Sequence, residues 1–200
     1  KMGYAIARIA QLRGARVSLV SGPTTLPAPH GVELYRVMTA QEMRDKVFAL
    51  VNANKVPAGD ESRSAQFVFM VAAVTDHMPA TAAKTKVKND KSTGYKLEMV
   101  PSPDILAELG EQRGAIEKAT GRVLKIIGFS AETGDDEQVI AAASDKLKRK
   151  KADLMVGNSA DEAMERDTNR VWLLDRVGRQ EEVATADKEL IAGKIVGAAL

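Results

Sequence analysis

Residues 67–88 read FVFMVAAVTDHMPATAAKTKVK and set one carboxylate, Asp76, ahead of three ammonium groups, Lys84, Lys86 and Lys88. An acid and several cations just past an apolar run suggest a site for a phosphorylated ligand, because ligands of open α/β sheets sit outside the carboxyl ends of the strands. Residues 67–71, all apolar, are long enough for one buried strand. The small residues Ala72 and Ala73 then let a ligand come close to the backbone. The same stretch also reads as a core strand running into a solvated basic loop. Farther along, Lys146 and Lys150 are four residues apart in a predicted helix and share a face. Over the carboxyl edge of a sheet, both could reach a phosphate or a base; otherwise they belong to a solvated helix end. Phe129 closes another apolar run, where it is either a core residue or a surface on which a base stacks.

The familiar phosphate loops are missing. There is no Gly-x-Gly-x-x-Gly and no Walker A lysine, and no Ser-His-Asp arrangement is readable. His30 and His77 fall in different predicted loops, which argues for surface residues and against metal ligands. No metal ligand is assigned. Ser21 and Asn158 end predicted strands and read equally well as turn formers.

The elements that must carry these side chains alternate. Helical spacing predicts helices over 1–13, 39–54, 104–113, 135–151 and 186–199. Strands are expected over 16–20, 33–37, 67–71, 96–100, 123–129 and 153–156, with a terminal hairpin of 169–175 and 181–184. Gly14 stops the first helix, Thr39 and Glu42 stand at capping-box spacing, and the acids after Asp135 with the cations of 146–151 match a helix dipole. Residues 157–159 read as a turn. The order predicts an α/β protein: a Rossmann-like, mainly parallel sheet with helices on both faces and a C-terminal hairpin. Residues 1–200 read as a single nucleotide-binding domain. The chain opens at Lys1 in helical sequence, which is the expectation for a piece of something longer.

The 200 residues are 44% hydrophobic and 28% charged with net charge +2, the composition of a globular domain and too neutral to attract nucleic acid in bulk. No apolar run approaches the roughly 20 residues of a membrane span. Cysteine is absent, which removes disulfides and thiolate chemistry from these residues. The expected location is cytoplasmic, with neither nucleic acid nor membrane as partner.

Eight stretches, KMGYAIA, VSLVSGP, VMTAQEM, AAVTDH, KVKN, VPSPDIL, IIGFSAET and ADLMVGNSA, cover nearly the whole chain in order. Together they resemble phosphopantothenoylcysteine synthetase in its bacterial, CTP-dependent form. The resemblance implies a ligase that joins 4′-phosphopantothenate to cysteine through an acyl-cytidylate, with release of CMP and pyrophosphate. It implies CTP and Mg2+, FMN only where a decarboxylase domain precedes, and a homodimer, to which the alternating strand 96–100 could contribute. It places Met70, Val71, Ala72, Asp76, Lys86, Pro103, Asp104, Ile105, Leu106, Phe129, Lys146 and Lys150 at the nucleotide. Lys86 becomes the catalytic cation and Ala73 a lining of the acyl-cytidylate pocket. Two features depart from the family pattern. Asn89 stands where a lysine is usual, and the family's Asn-x-Ser-Ser-Gly loop, which would come before Lys1, is not in these residues. Another Rossmann-type enzyme, such as an NAD-dependent reductase, and a non-catalytic nucleotide-binding module are the alternatives; the missing glycine fingerprint weighs against the first.

If Lys86 neutralises the charge that gathers on the triphosphate and acyl-cytidylate, Lys86→Gln slows turnover by about a hundredfold or more with little loss of stability. Lys84→Gln and Lys88→Gln lose much less. Equal losses from all three, in steady-state assays of each variant, would show diffuse positive charge in place of a specific role.

Overall fold

The computed structural model describes residues 1–52, 65–81, 96–160 and 168–200. Along these run α1 (Met2–Leu12), β1 (Ser18–Ser21), β2 (Glu33–Arg36), α2 (Ala40–Val51), β3 (Phe67–Met70), β4 (His77–Pro79), β5 (Met99–Pro101), α3 (Ile105–Thr120), β6 (Lys125–Glu132), α4 (Asp136–Arg149), β7 (Leu154–Ser159), β8 (Thr168–Asp175), β9 (Gln180–Asp187) and α5 (Lys188–Ala199).

The main sheet has the order β3-β6-β7-β8-β9. The β3–β6 and β6–β7 pairs are parallel, and the β8–β9 hairpin extends the sheet antiparallel. β1 and β2 form a separate parallel pair, and β4 and β5 a short antiparallel ribbon. The α/β architecture expected from the sequence therefore holds, with helices on both faces and a terminal hairpin.

Alternation within the strands divides the core in two, since successive side chains point to opposite faces. On one face Val68, Ile126, Met155, Trp172 and Leu174 pack with Met43 and Val47 of α2, Ile105 and Leu109 of α3, and Val139, Ala143 and Leu147 of α4. On the other, Ile127, Leu154, Val156, Val171 and Leu173 pack with Ile6 of α1 and Ile191, Ala192 and Ile195 of α5. Leu109, Ile126, Ile127, Met155, Val156 and Ile191 are fully buried.

Helix starts follow the sequence signals. Thr39 caps α2 by accepting the Glu42 N–H, while the Glu42 carboxylate reaches back to the N–H of Met38 at 2.7 Å. Asp135 and Gln138 form a reciprocal capping box on α4.

Several boundaries shift from the sequence expectation, and four of the differences have a clear physical reason. α3 runs on to Thr120, past the expected end near Arg113. A glycine costs a helix only about 1 kcal/mol, so Gly114 does not stop it; Gly121 does, at φ 67°. Residues 157–159 continue β7 instead of turning, because β6 reaches Glu132 and pairs residue for residue up to Ser159. His77 lies in a strand, not a loop: residues 77–79 pair with 99–101, giving part of the 96–100 segment a partner within the chain. Lys125, not the exposed Val123, opens β6.

α3 crosses the end of α4 at Gly110, where an added Cβ would overlap the Lys150 carbonyl oxygen. Gly114, one turn along the same helix, has open space at that point. Gly110→Ala should therefore cost about 2–3 kcal/mol, more than its gain in helix propensity. Gly114→Ala should gain about 0.5–1 kcal/mol. Urea unfolding of the two variants checks this, and equal midpoints would show that the helices slide apart freely.

Candidate functional site

The strands β3, β6 and β7 are parallel, so their carboxyl ends share one edge of the sheet. After β3 the chain passes Val71, half-buried against the α1/α5 face, and the exposed Ala72 and Ala73. It then reaches Asp76, whose carbonyl accepts the Ser102 N–H at 2.8 Å. The β4–β5 ribbon leaves from this point and returns to it. Its closure sets Asp76 beside the loop that starts α3, although the two are far apart in sequence.

That loop is rigid for local reasons. Pro101 and Pro103 restrict the backbone, and Asp104 caps α3 by accepting the Ala107 N–H at 3.0 Å. Ile105 enters the core, while Leu106 packs over β6. A Cβ on Gly128 would lie 2.7 Å from Leu106 Cδ2 and 2.8 Å from Met155 Cε, so the Leu106 and Met155 side chains close directly over this glycine. Residues 103–106 are thereby pressed against the strand that carries residues 128–132.

Lys146 of α4 and Lys150, the residue that caps its end, both turn toward this corner. The Lys150 ammonium pairs with the Asp104 carboxylate; the Lys150 side chain is only 12% exposed. Burial lowers the Lys150 pKa from its ordinary value, and the charge of Asp76 opposes that shift. One turn earlier, the Lys146 ammonium pairs with Glu132 at the end of β6, and the Ser130 hydroxyl donates to the same Glu132 oxygen at 2.6 Å. Burial pushes the Glu132 carboxyl up, but the bonds from Lys146 and Ser130 outweigh it and hold the group below its usual range.

The structure thus connects Asp76, Pro103, Asp104, Leu106, Lys146 and Lys150 through contacts at one corner of the sheet. Met70 packs into the α2/α3/α4 face from the end of β3. Phe129 is on the other side: its ring packs with the α1/α5 core, opposite Leu106 and Lys146. Lys84, Lys86, Lys88 and Asn89 lie outside the described residues. Sequence reasoning did not single out Ser130 or Glu132. The only available signal was their two-residue spacing on one strand, which means nothing until α4 is docked beside it.

Among the described residues no group of three His, Asp or Glu side chains is placed to hold a metal. Two cavities lie away from the corner. One of about 520 Å³ is lined by Leu147, Lys148, Lys151 and the β8–β9 turn. Another of about 590 Å³ is lined by Tyr4, Arg8 and residues 26–29. Neither includes a residue singled out from the sequence for the site.

Residues 1–200 match the family model described as the DNA/pantothenate metabolism flavoprotein C-terminal domain. The chain belongs to this family. It is 37% identical over 202 residues to the coenzyme A biosynthesis bifunctional protein CoaBC of Mycobacterium tuberculosis, covering 99% of this chain and 45% of that protein. To the CoaBC of Bacillus subtilis it is 34% identical over 192 residues, 94% of this chain and 42% of that one. The chain therefore spans less than half the length of these relatives. Its fold matches the crystal structure of a CoaBC C-terminal domain with a TM-score of 0.72 and 29% identity, covering 98% of this chain and 79% of that one. A Cab2 variant in complex with phosphopantothenate-cysteine shares the fold at a TM-score of 0.55 and 18% identity, over 84% of this chain and 53% of that one.

The buried Lys150 supplies a test. Its folded-state pKa lies below the unfolded one, so between the two values the unfolded chain binds more protons and stability rises with pH. The charge on Lys150 is therefore a cost at neutral pH that disappears as pH climbs toward 10.5, the ordinary lysine value. Asp76→Asn removes one opposing charge, leaving the Asp104 partner in place, and should lower the Lys150 pKa further, read by NMR titration of 13Cε-labelled lysine. An unchanged titration would show that the Asp76 charge does not reach Lys150.

Proposed function

We propose that this domain is a phosphopantothenate–cysteine ligase of coenzyme A biosynthesis that uses CTP. The observation that carries the reading is the gathering of Asp76, Asp104, Lys146, Lys150 and the 103–106 turn at one corner of the sheet in a chain of this family. The names of its relatives and the phosphopantothenate-cysteine held by the Cab2 variant support the choice of substrates.

In this reading the carboxylate of 4′-phosphopantothenate attacks the α-phosphorus of CTP. Pyrophosphate leaves and an acyl-cytidylate forms. The amine of cysteine then attacks the activated carbonyl, loses a proton and expels CMP. Nucleotidyl transfer of this kind needs positioning and charge neutralisation more than a protein nucleophile, which fits a corner that offers lysines and no cysteine. Lys146 and Lys150 hold phosphate oxygens, and Lys86 neutralises the reacting group. The turn at 103–106, fixed by proline and by its contact with Gly128, presents rigid backbone groups to the base. Ala72 and Ala73 leave room for the nucleotide and the acyl group.

Mg2+ is bound mainly through substrate phosphates and water, with one or two carboxylates. The exposed Asp76 fits that donor set, and the absence of a three-acid cage among the described residues is compatible with it. When bound, Mg2+ would screen the triphosphate. FMN enters only where a decarboxylase domain precedes this one.

A homodimer belongs to the same reading. Leu97 and Met99, 52% and 45% exposed, supply apolar surface at the β4–β5 ribbon, where a second copy would cover them.

Incubation with CTP, 4′-phosphopantothenate and cysteine should release one pyrophosphate per phosphopantothenoylcysteine formed, and ATP at matched concentration should support far less. Light scattering of the same preparation should give twice the chain mass. No product with any nucleotide overturns the ligase; equal turnover with ATP overturns the CTP preference alone.

A further inference from the structure

Ser130 and Glu132 are polar residues that the reaction above does not use. They alternate with Ala131 on β6, so both side chains face α3 and α4, as does the Gly128 position covered by Leu106. Ser130 is 1% exposed. A hydroxyl buried that deeply needs a partner, and it has one: it donates to Glu132 Oε1 at 2.6 Å. The same oxygen accepts the Lys146 ammonium, and the two side chains of that pair remain 25% and 35% exposed.

Neither residue is needed to attach α4. Val139, Ala143 and Leu147 already bury its inner face, and Asp135 with Gln138 caps its start. The pair is part-exposed and therefore partly screened, and none of the apolar contacts of α4 depends on it. What it does fix is direction. Lysine carries its charge on a flexible four-carbon stem, and freezing such a stem when a ligand arrives weakens binding. An ammonium has three N–H donors. One is engaged by Glu132, which leaves two for a ligand.

We propose that Ser130 and Glu132 are positioning residues: the buried hydroxyl holds the Glu132 carboxylate, and the carboxylate holds the Lys146 ammonium aimed at the nucleotide phosphates before the nucleotide binds. The proposal rests on the reading of Lys146 as a nucleotide-binding residue.

The test compares Glu132→Gln, Ser130→Ala and Lys146→Met in the whole chain, with steady-state kinetics in CTP and NMR of 13Cε-labelled lysine. The Lys146 signal is assigned by its loss in Lys146→Met. Glu132→Gln should raise KM for CTP about tenfold with kcat changed less than about threefold, and should merge the two distinct Hε resonances of Lys146 as its stem becomes mobile. Ser130→Ala should do the same to a smaller degree. The double variant Glu132→Gln/Lys146→Met should be no worse than Lys146→Met alone. If Lys146→Met raises KM but Glu132→Gln leaves it unchanged or lowers it, the carboxylate is a bystander or a competitor and positioning is overturned. A fall in Tm without a change in KM or in the lysine spectrum assigns Glu132 to structure only and also overturns it. If Lys146→Met leaves KM unchanged while the wild-type protein makes product, the role of Lys146 falls, and this proposal with it, but the ligase stands.

Discussion

The crossing of α3 over the end of α4 at Gly110 is the constraint on which the site depends. A side chain there would meet the Lys150 backbone, so the approach is possible only because the residue is glycine. The crossing brings the carboxyl end of α4 under the start of α3 and lets the long Lys150 stem run up to Asp104. Arg113 fastens the same junction from below: it binds Asp153 and donates to the Lys151 carbonyl, both just past α4. Lys151 adopts φ 52° to make the turn, a conformation that costs a non-glycine residue on the order of 1 kcal/mol and persists because the surrounding contacts fix it.

The sheet adds a division of labour. Its α1/α5 face is apolar and takes Phe69, Val71 and Phe129 from the strand ends. Its α3/α4 face is apolar in the middle and polar at the carboxyl edge, where Ser130 and Glu132 follow Ile126 and Gly128 in register. A parallel strand buried on both faces must be apolar almost throughout. Polar residues at the end of β6 therefore mark the point where the apolar core stops.

Each lysine at the corner is matched with a carboxylate from a different element: Lys146 with β6, and Lys150 with the cap of α3. A half-buried cation left unpaired would carry a desolvation cost. Pairing reduces that cost and holds both ammonium groups at the corner. Asp104 serves the helix and the lysine through its two oxygens, one for each.

The sequence by itself determined most of the elements and the family. Hydrophobic periods, caps at Thr39, Asp104 and Asp135, and the alternation of strand with helix are local properties, written in adjacent residues and readable there. The eight family stretches, too, are linear. Only the tertiary structure decided which elements stop where and which side chains meet. Gly114 and Gly121 both follow helical sequence, and only the second adopts the left-handed turn that ends α3. Residues 157–159 look like a turn until β6 runs alongside and pairs with them. The resemblance places both Phe129 and Leu106 at the nucleotide, yet strand alternation puts the ring on the opposite face from Leu106. The two-residue spacing of Ser130 and Glu132 says nothing by itself, because what they do depends on α4 lying next to β6. That placement is fixed by burial of Val139, Ala143 and Leu147 against the sheet, a long-range packing term that no local pattern contains.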